Sequence, residues 1–179
     1  MKKVVFFSLL VALVLVSCSK DDKPASGQEQ ASFDVVFSGI KVLANYQNVT
    51  PPNQKKQLTD VLSSINKDKA SYVKEAEIQY SNSYILLEGL KPGESLAGLT
   101  INLTDGQTST GAFSLGKINA DPNGDPIKYS TNNCMTFLST VTNELATKKS
   151  VTLQVVLSGS DMDIDDLKIT VHTMAIFHW

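Results

Sequence analysis

The chain has 179 residues, 42% of them hydrophobic, and a formal net charge of −2 from 16 basic and 18 acidic residues. No arginine is present, so the bidentate grip on phosphates is missing and the balance is acidic, which argues against nucleic-acid binding. With 2 cysteines and no internal repeat, the length suits one domain stabilised by its own core.

The first element is a processing segment. Lys2 and Lys3 precede an apolar run from Val4 to Val16, which at 13 residues is shorter than the ~20 needed to span a bilayer. Leu15-Val16-Ser17-Cys18 closes it and reads as a lipobox, in which residues 1–17 are removed and the Cys18 thiol becomes the acylation point. The acidic Ser19-Lys20-Asp21-Asp22 follows directly. Together these residues resemble the start of small Bacteroidota-type surface lipoproteins, where such a run acts as an export signal. The resemblance implies an outer-membrane protein, anchored through acylated (palmitate-type) Cys18 and facing the cell surface, or otherwise the periplasm. Loss of Lys2 and Lys3 from the 16 basic residues leaves 14 against 18 acidic, a mature charge of −4.

Residues 18–31 read as a flexible acylated tether, because Ser19 to Ala31 holds no large apolar side chain and cannot offset its own ordering entropy. Thirteen such residues would span roughly 20 Å. The globular domain is then expected over 32–179.

Within it, Phe33 to Leu43 is β-rich and interrupted by Gly39. Leu58, Val61, Leu62 and Ile65 follow i, i+3, i+4, i+7 spacing after Thr50-Pro51-Pro52-Asn53, which predicts a helix. Tyr72 to Tyr80 and Tyr84 to Glu88 flank Ser81-Asn82-Ser83 and predict a hairpin. Leu99, Ile101 and Leu103 alternate before Asp105-Gly106, with Ala112 to Leu115 returning beside them. Cys134, Phe137, Leu138, Val141 and Leu145 predict a second helix, capped within Thr131 to Asn133 and closed by Lys148 and Lys149. Finally Val151, Leu153, Val155 and Leu157 share one face, as do Leu167, Ile169, Val171, Thr173, Ala175, Phe177 and Trp179, and the polar stretch between the two runs predicts that they form an antiparallel hairpin.

About seven strands without regular strand–helix alternation predict a mainly β fold: an antiparallel β-sandwich or open barrel with about two helical connections.

Candidate chemistry is sparse. Asp161, Asp163 and Asp165 alternate as calcium ligands would, although Asp166 and His172 occupy the glycine and glutamate positions of an EF-hand loop. The alternative is a solvated loop whose charges discourage edge pairing. Asp121-Pro122-Asn123-Gly124-Asp125 offers a similar pattern but reads as a turn. His172 and His178, about 20 Å apart along one strand face, cannot share a metal and read as surface residues. Cys134 is the one thiol left once Cys18 is acylated, and its place on a helix's apolar side marks it as a buried small hydrophobe. Ser64-Ile65-Asn66-Lys67 and Ser71-Tyr72-Val73-Lys74 match Ser-x-x-Lys but lack the companion motifs of penicillin-binding enzymes. Tyr46, Tyr72, Tyr80, Tyr84, Tyr129 and Trp179 are candidates for a sugar-stacking platform.

With an address and no catalytic motif or cofactor signature, the residues favour a lipid-anchored, non-catalytic cell-envelope module that binds a protein or a glycan. The alternatives are a structural or adhesive subunit resembling fimbrillin-type lipoproteins, and an enzyme whose site is assembled from residues distant in sequence.

Overall fold

A computed structural model of the protein describes residues 24–45, 48–105 and 108–179. The lipobox cysteine Cys18, the acidic run Ser19 to Asp22, and Tyr46 and Gly106 lie outside the described residues. The eleven strands are β1 (Gln28–Val42), β2 (Asn48–Val49), β3 (Gln54–Gln57), β4 (Glu75–Ile78), β5 (Tyr84–Glu88), β6 (Ser95–Thr104), β7 (Ser109–Leu115), β8 (Ile118–Asn119), β9 (Ile127–Tyr129), β10 (Ser150–Ser160) and β11 (Ile164–His178). One α-helix, α1 (Asn132–Lys148), lies between β9 and β10.

The strands form two antiparallel sheets, the sandwich that the alternating patterns predict. In the first the order is β1-β11-β5-β9, with β4 also on β11. In the second it is β2-β10-β6-β7, with β3 also on β10 and β8 on β6. Each long strand turns alternate side chains inward, which is the simplest way for a sheet to bury one face. Phe33, Val35 and Phe37 of β1, Ile169, Val171 and Phe177 of β11, and Val151, Leu153 and Val155 of β10 meet in one buried core. Where β1 crosses Gly39, at φ +64°, the pairing with β11 shifts register between Phe37 and Ile40, a bulge that a β-carbon would disfavour.

The C-terminal runs differ from expectation in their partner. β10 and β11 do not form a hairpin; three residues carry the chain from Ser160 to Ile164, from one sheet into the other. Both flanks of β10 are taken by β6 and by β2 and β3, while β1 holds one flank of β11 and β4 and β5 the other. Alternation specifies which face is buried and is silent on which strand lies alongside. Nor do β4 and β5 pair with each other. They lie end to end on the same edge of β11, at Ala175–His178 and Lys168–His172, joined by a 3₁₀ turn over Tyr80–Asn82.

The first predicted helix is also absent. Gln54–Gln57 is a strand, followed by short 3₁₀ turns over Leu58–Asp60 and Lys67–Tyr72. Leu58 and Leu62 are buried, but Ile65 is 84% exposed. The Glu29 carboxylate accepts from the Ser63 backbone N–H at 2.8 Å, the Ser63 hydroxyl at 3.2 Å and the Asn66 amide at 3.0 Å, holding this stretch out of helical geometry. The second predicted helix is present. Thr131 caps it by accepting from Cys134 N–H at 3.5 Å, and its apolar face carries buried Cys134, Phe137, Leu138, Val141 and Leu145. At its C-terminal end Lys148 pairs with Glu144 at 2.6 Å, and the Lys149 ammonium donates to the carbonyls of Ala146 and Val73.

The first strand begins before the boundary expected at Ala31. Gln28 to Ala31 already belong to β1, opposite His178 to Ala175. Polar residues suffice here because β11 satisfies their backbone groups and, although Ala31 packs against the core, fully buried side chains start only at Phe33.

Candidate functional site

On the outer face of the first sheet a polar row crosses four strands. Asp34 of β1 contacts His172 of β11, Oδ1 to Nδ1, at 2.5 Å. The His172 ring stacks on Tyr84 of β5 with centroids 4.7 Å apart and planes at 25°. Lys128 of β9 places its ammonium 4.2 Å from the centre of the Tyr84 ring. Cross-strand register produces the row, since Asp34 faces His172 and His172 faces Tyr84 directly. Four residues along the same two strands, Glu88 holds Lys168 at 2.8 Å, and that hydrogen bond raises the ammonium above its ordinary value.

The row ends at an open groove of about 670 Å³ between the Tyr80–Asn82 turn, β9 and the first turns of α1. Tyr80 projects into solvent at its rim, 61% exposed. Lys128 is the one charged residue lining it among the described residues. Several lining hydroxyls are already committed: Thr136 donates to Asn132 O and Thr140 to Thr136 O, both at 3.0 Å, and Ser83 donates to Gln79 O at 2.9 Å. Ser81, Ser130, Asn132 and Ser139 keep side-chain hydrogen-bonding groups with no partner among the described residues. The result is a hydroxyl- and amide-rich surface with one aromatic ring and a single positive charge, from Lys128. It suits hydrogen bonding to a polar ligand and offers no nucleophile–base pair.

The aspartates predicted as metal ligands are not brought together. Asp163 accepts from Ala44 N–H at 2.7 Å, Asp165 lies 3.6 Å from the Lys41 ammonium, and Asp161 faces a separate cleft. Among the described residues no three His, Cys, Asp or Glu side chains converge on a metal position. Asp121 closes its own turn, accepting from Asn123 N–H at 2.8 Å. His172 is engaged by Asp34 and Tyr84, so it belongs to the sheet's outer surface as a structured member rather than a free one.

Cys134 is fully buried, with its Sγ 3.3 Å from the Tyr129 carbonyl. Burial pushes the thiol up from 9.0 to about 11, opposed in part by a backbone hydrogen bond at Ile85. The folded chain therefore keeps this proton where the unfolded chain has lost it, and stability present below pH 9.0 declines as pH rises toward about 11. Denaturant midpoints should fall across that window, less steeply in Cys134→Ala, and the native thiol should resist alkylation at pH 8. A Cys134→Ala profile identical to wild type would assign the decline to other groups, of which Tyr129, also raised by burial, is one.

Of the tyrosines and tryptophan named from the sequence, Tyr80 and Tyr84 come to the groove and its adjoining row. Trp179 and Tyr72 sit together at the far end of β11. Lys128, Ser130, Asn132 and Ser139 carry no signal in the sequence, since isolated polar residues at turns and helix starts look alike whether or not they converge.

No protein-family model matches the chain, and no curated protein matches it. Among solved structures it is similar to a chain of desmodium yellow mottle tymovirus, at 10% identity over 85% of this chain and 88% of that one, TM-score 0.38. It is also similar to the BFDV capsid protein in its decameric form, at 9% identity over 87% and 99% of the two chains, TM-score 0.41. A third is infectious bursal disease virus, Gt strain, at 14% identity and TM-score 0.30, where the match covers 87% of this chain and 38% of the other. The sandwich rests on its own strand pairing, and the chain is a β-sandwich module.

Proposed function

We propose that this protein is a non-catalytic, lipid-anchored module of the bacterial outer membrane that binds a glycan in the Tyr80–Lys128 groove. The observation that carries the reading is the groove's chemistry. Its volume of about 670 Å³ falls in the range of small-ligand sites, and its unpaired Ser81, Ser130, Asn132 and Ser139 groups match the alternating donors and acceptors of a sugar. The exposed Tyr80 ring supplies a surface on which a pyranose can stack. Lys128 favours a sugar bearing an anionic group. Anchoring through Cys18 would keep the module at the envelope, where such glycans are displayed.

A glycan array probed with the purified protein tests this, alongside a pull-down from detergent-solubilised envelope. Tyr80→Ala should weaken retention about tenfold, equivalent to about 1.4 kcal/mol, without changing the melting temperature. Equal retention of wild type and Tyr80→Ala would remove the groove from the interaction. Turnover of a substrate panel by protein that retains neither glycan nor partner would overturn the binding role altogether.

A further inference from the structure

We propose that the Trp179 end of the sandwich rests in the headgroup region of the membrane that holds the lipid anchor. This deepens the preceding proposal and rests on its reading of Cys18 as the acylated residue. A second cavity, about 330 Å³, opens at this end and is lined by Pro24, Tyr72, Val73, Lys74 and Trp179 among others. Tyr72 is 43% exposed, and Trp179 is half-buried. Tyrosine and tryptophan rings with a lysine beside them are the side chains that favour the water–lipid boundary: the rings have an apolar body and a polar edge, and the lysine stem lies along them with its ammonium in water.

Two observations point to a bilayer as the occupant. The described chain begins at Pro24, which itself lines this cavity, and Cys18 lies six residues earlier. Six residues reach at most about 20 Å when extended, so acyl chains on Cys18 bring the bilayer within reach of this end of the molecule. Trp179 is also held in place. Its backbone exchanges two hydrogen bonds of 3.0 Å with Gly27, and its indole lies so close to Gly27 that a β-carbon there would fall 2.8 Å from Nε1. The ring is thus presented at the surface at little further entropic cost. The groove lies part-way along β11, since Gln79 and Ser83, which flank its Tyr80 rim, bond to the backbone of Met174, five residues and roughly 17 Å along the strand from Trp179. A membrane contact at Trp179 leaves the groove standing clear of the headgroups.

Trp179 is the sole tryptophan, so its emission reports this end alone. The full acylated protein, reconstituted into phosphatidylethanolamine–phosphatidylglycerol vesicles, is compared with the same vesicles containing phospholipid brominated near the headgroup. The expected result is co-flotation with the vesicles and loss of most of the tryptophan emission to bromine, with the emission largely recovered in Tyr72→Asp. Co-flotation with undiminished emission overturns the orientation and leaves the anchor standing. Emission untouched by bromine yet shielded from acrylamide puts another protein chain on the patch and overturns it as well. Failure to float removes the anchor and the orientation together, whereas loss of glycan binding alone bears on neither.

Discussion

Phe177→Ala should destabilise the domain by about 3–5 kcal/mol, a large part of the ~5–15 kcal/mol that holds such a domain folded. Phe177 is fully buried, and its strand position faces Glu29 of β1 on one side and Ala76 of β4 on the other. Removing the ring leaves a cavity where three strands meet, at a point the rigid core cannot collapse to fill. Urea unfolding followed by Trp179 emission measures this, because the reporter lies two residues away. The informative control is Ile65→Ala. Ile65 is as apolar in the sequence as any core residue, yet it is 84% exposed, and its truncation should stay within about 0.5 kcal/mol of wild type. A cost near that of Phe177→Ala would restore the helix expected over residues 58–65.

Gly89→Ala should also be severe, for a reason unrelated to hydrophobic burial. Gly89 sits just past β5 at φ +95°, where a side chain is strained by about 1–3 kcal/mol. A β-carbon there would also fall 2.5 Å from the backbone oxygen of Asp166, a contact that only movement of the backbone relieves. The start of β11 would be displaced and the adjacent Glu88–Lys168 pair with it. Gly116→Ala makes the contrast, since nothing lies within 4 Å of its added carbon, and it should be neutral or mildly stabilising, up to about 1 kcal/mol. Thermal melts of the two variants separate the positions; equal melting temperatures would show that the β5–β11 approach is looser than described.

The contrast between the two helical patterns shows why parts of the fold were legible and others were not. Both segments carry apolar residues at helical spacing. Over 134–145 the local signals agree: Thr131 caps, the lysines suit the C-terminal end, and the apolar face meets the core. Over 58–65 Ser63 and Asn66 are captured by Glu29, a residue more than thirty positions away, and no local pattern encodes that contact. Likewise the alternation in β10 and β11 states plainly that each buries one face. Their assignment to opposite sheets depends on β1 and β6 competing successfully for their edges.

The groove follows the same division. Tyr80 is visible as an aromatic residue at a turn, but its meeting with Lys128 and Asn132 requires β4 and β5 to lie end to end and α1 to start beside β9.

By itself, then, the sequence determined the class of the domain, the inward faces of its long strands and the position of its principal helix, and it carries the lipobox from which an anchor is proposed. Those features are written in periods of two and of 3.6 and in a contiguous leader, all readable over fewer than about twenty consecutive residues. The tertiary structure alone decided which strands are neighbours, where the polar N-terminal run becomes β1, and which dispersed hydroxyls, ring and ammonium share one groove. Each of those is a contact between residues far apart in the chain, made only when two sheets close on a common core.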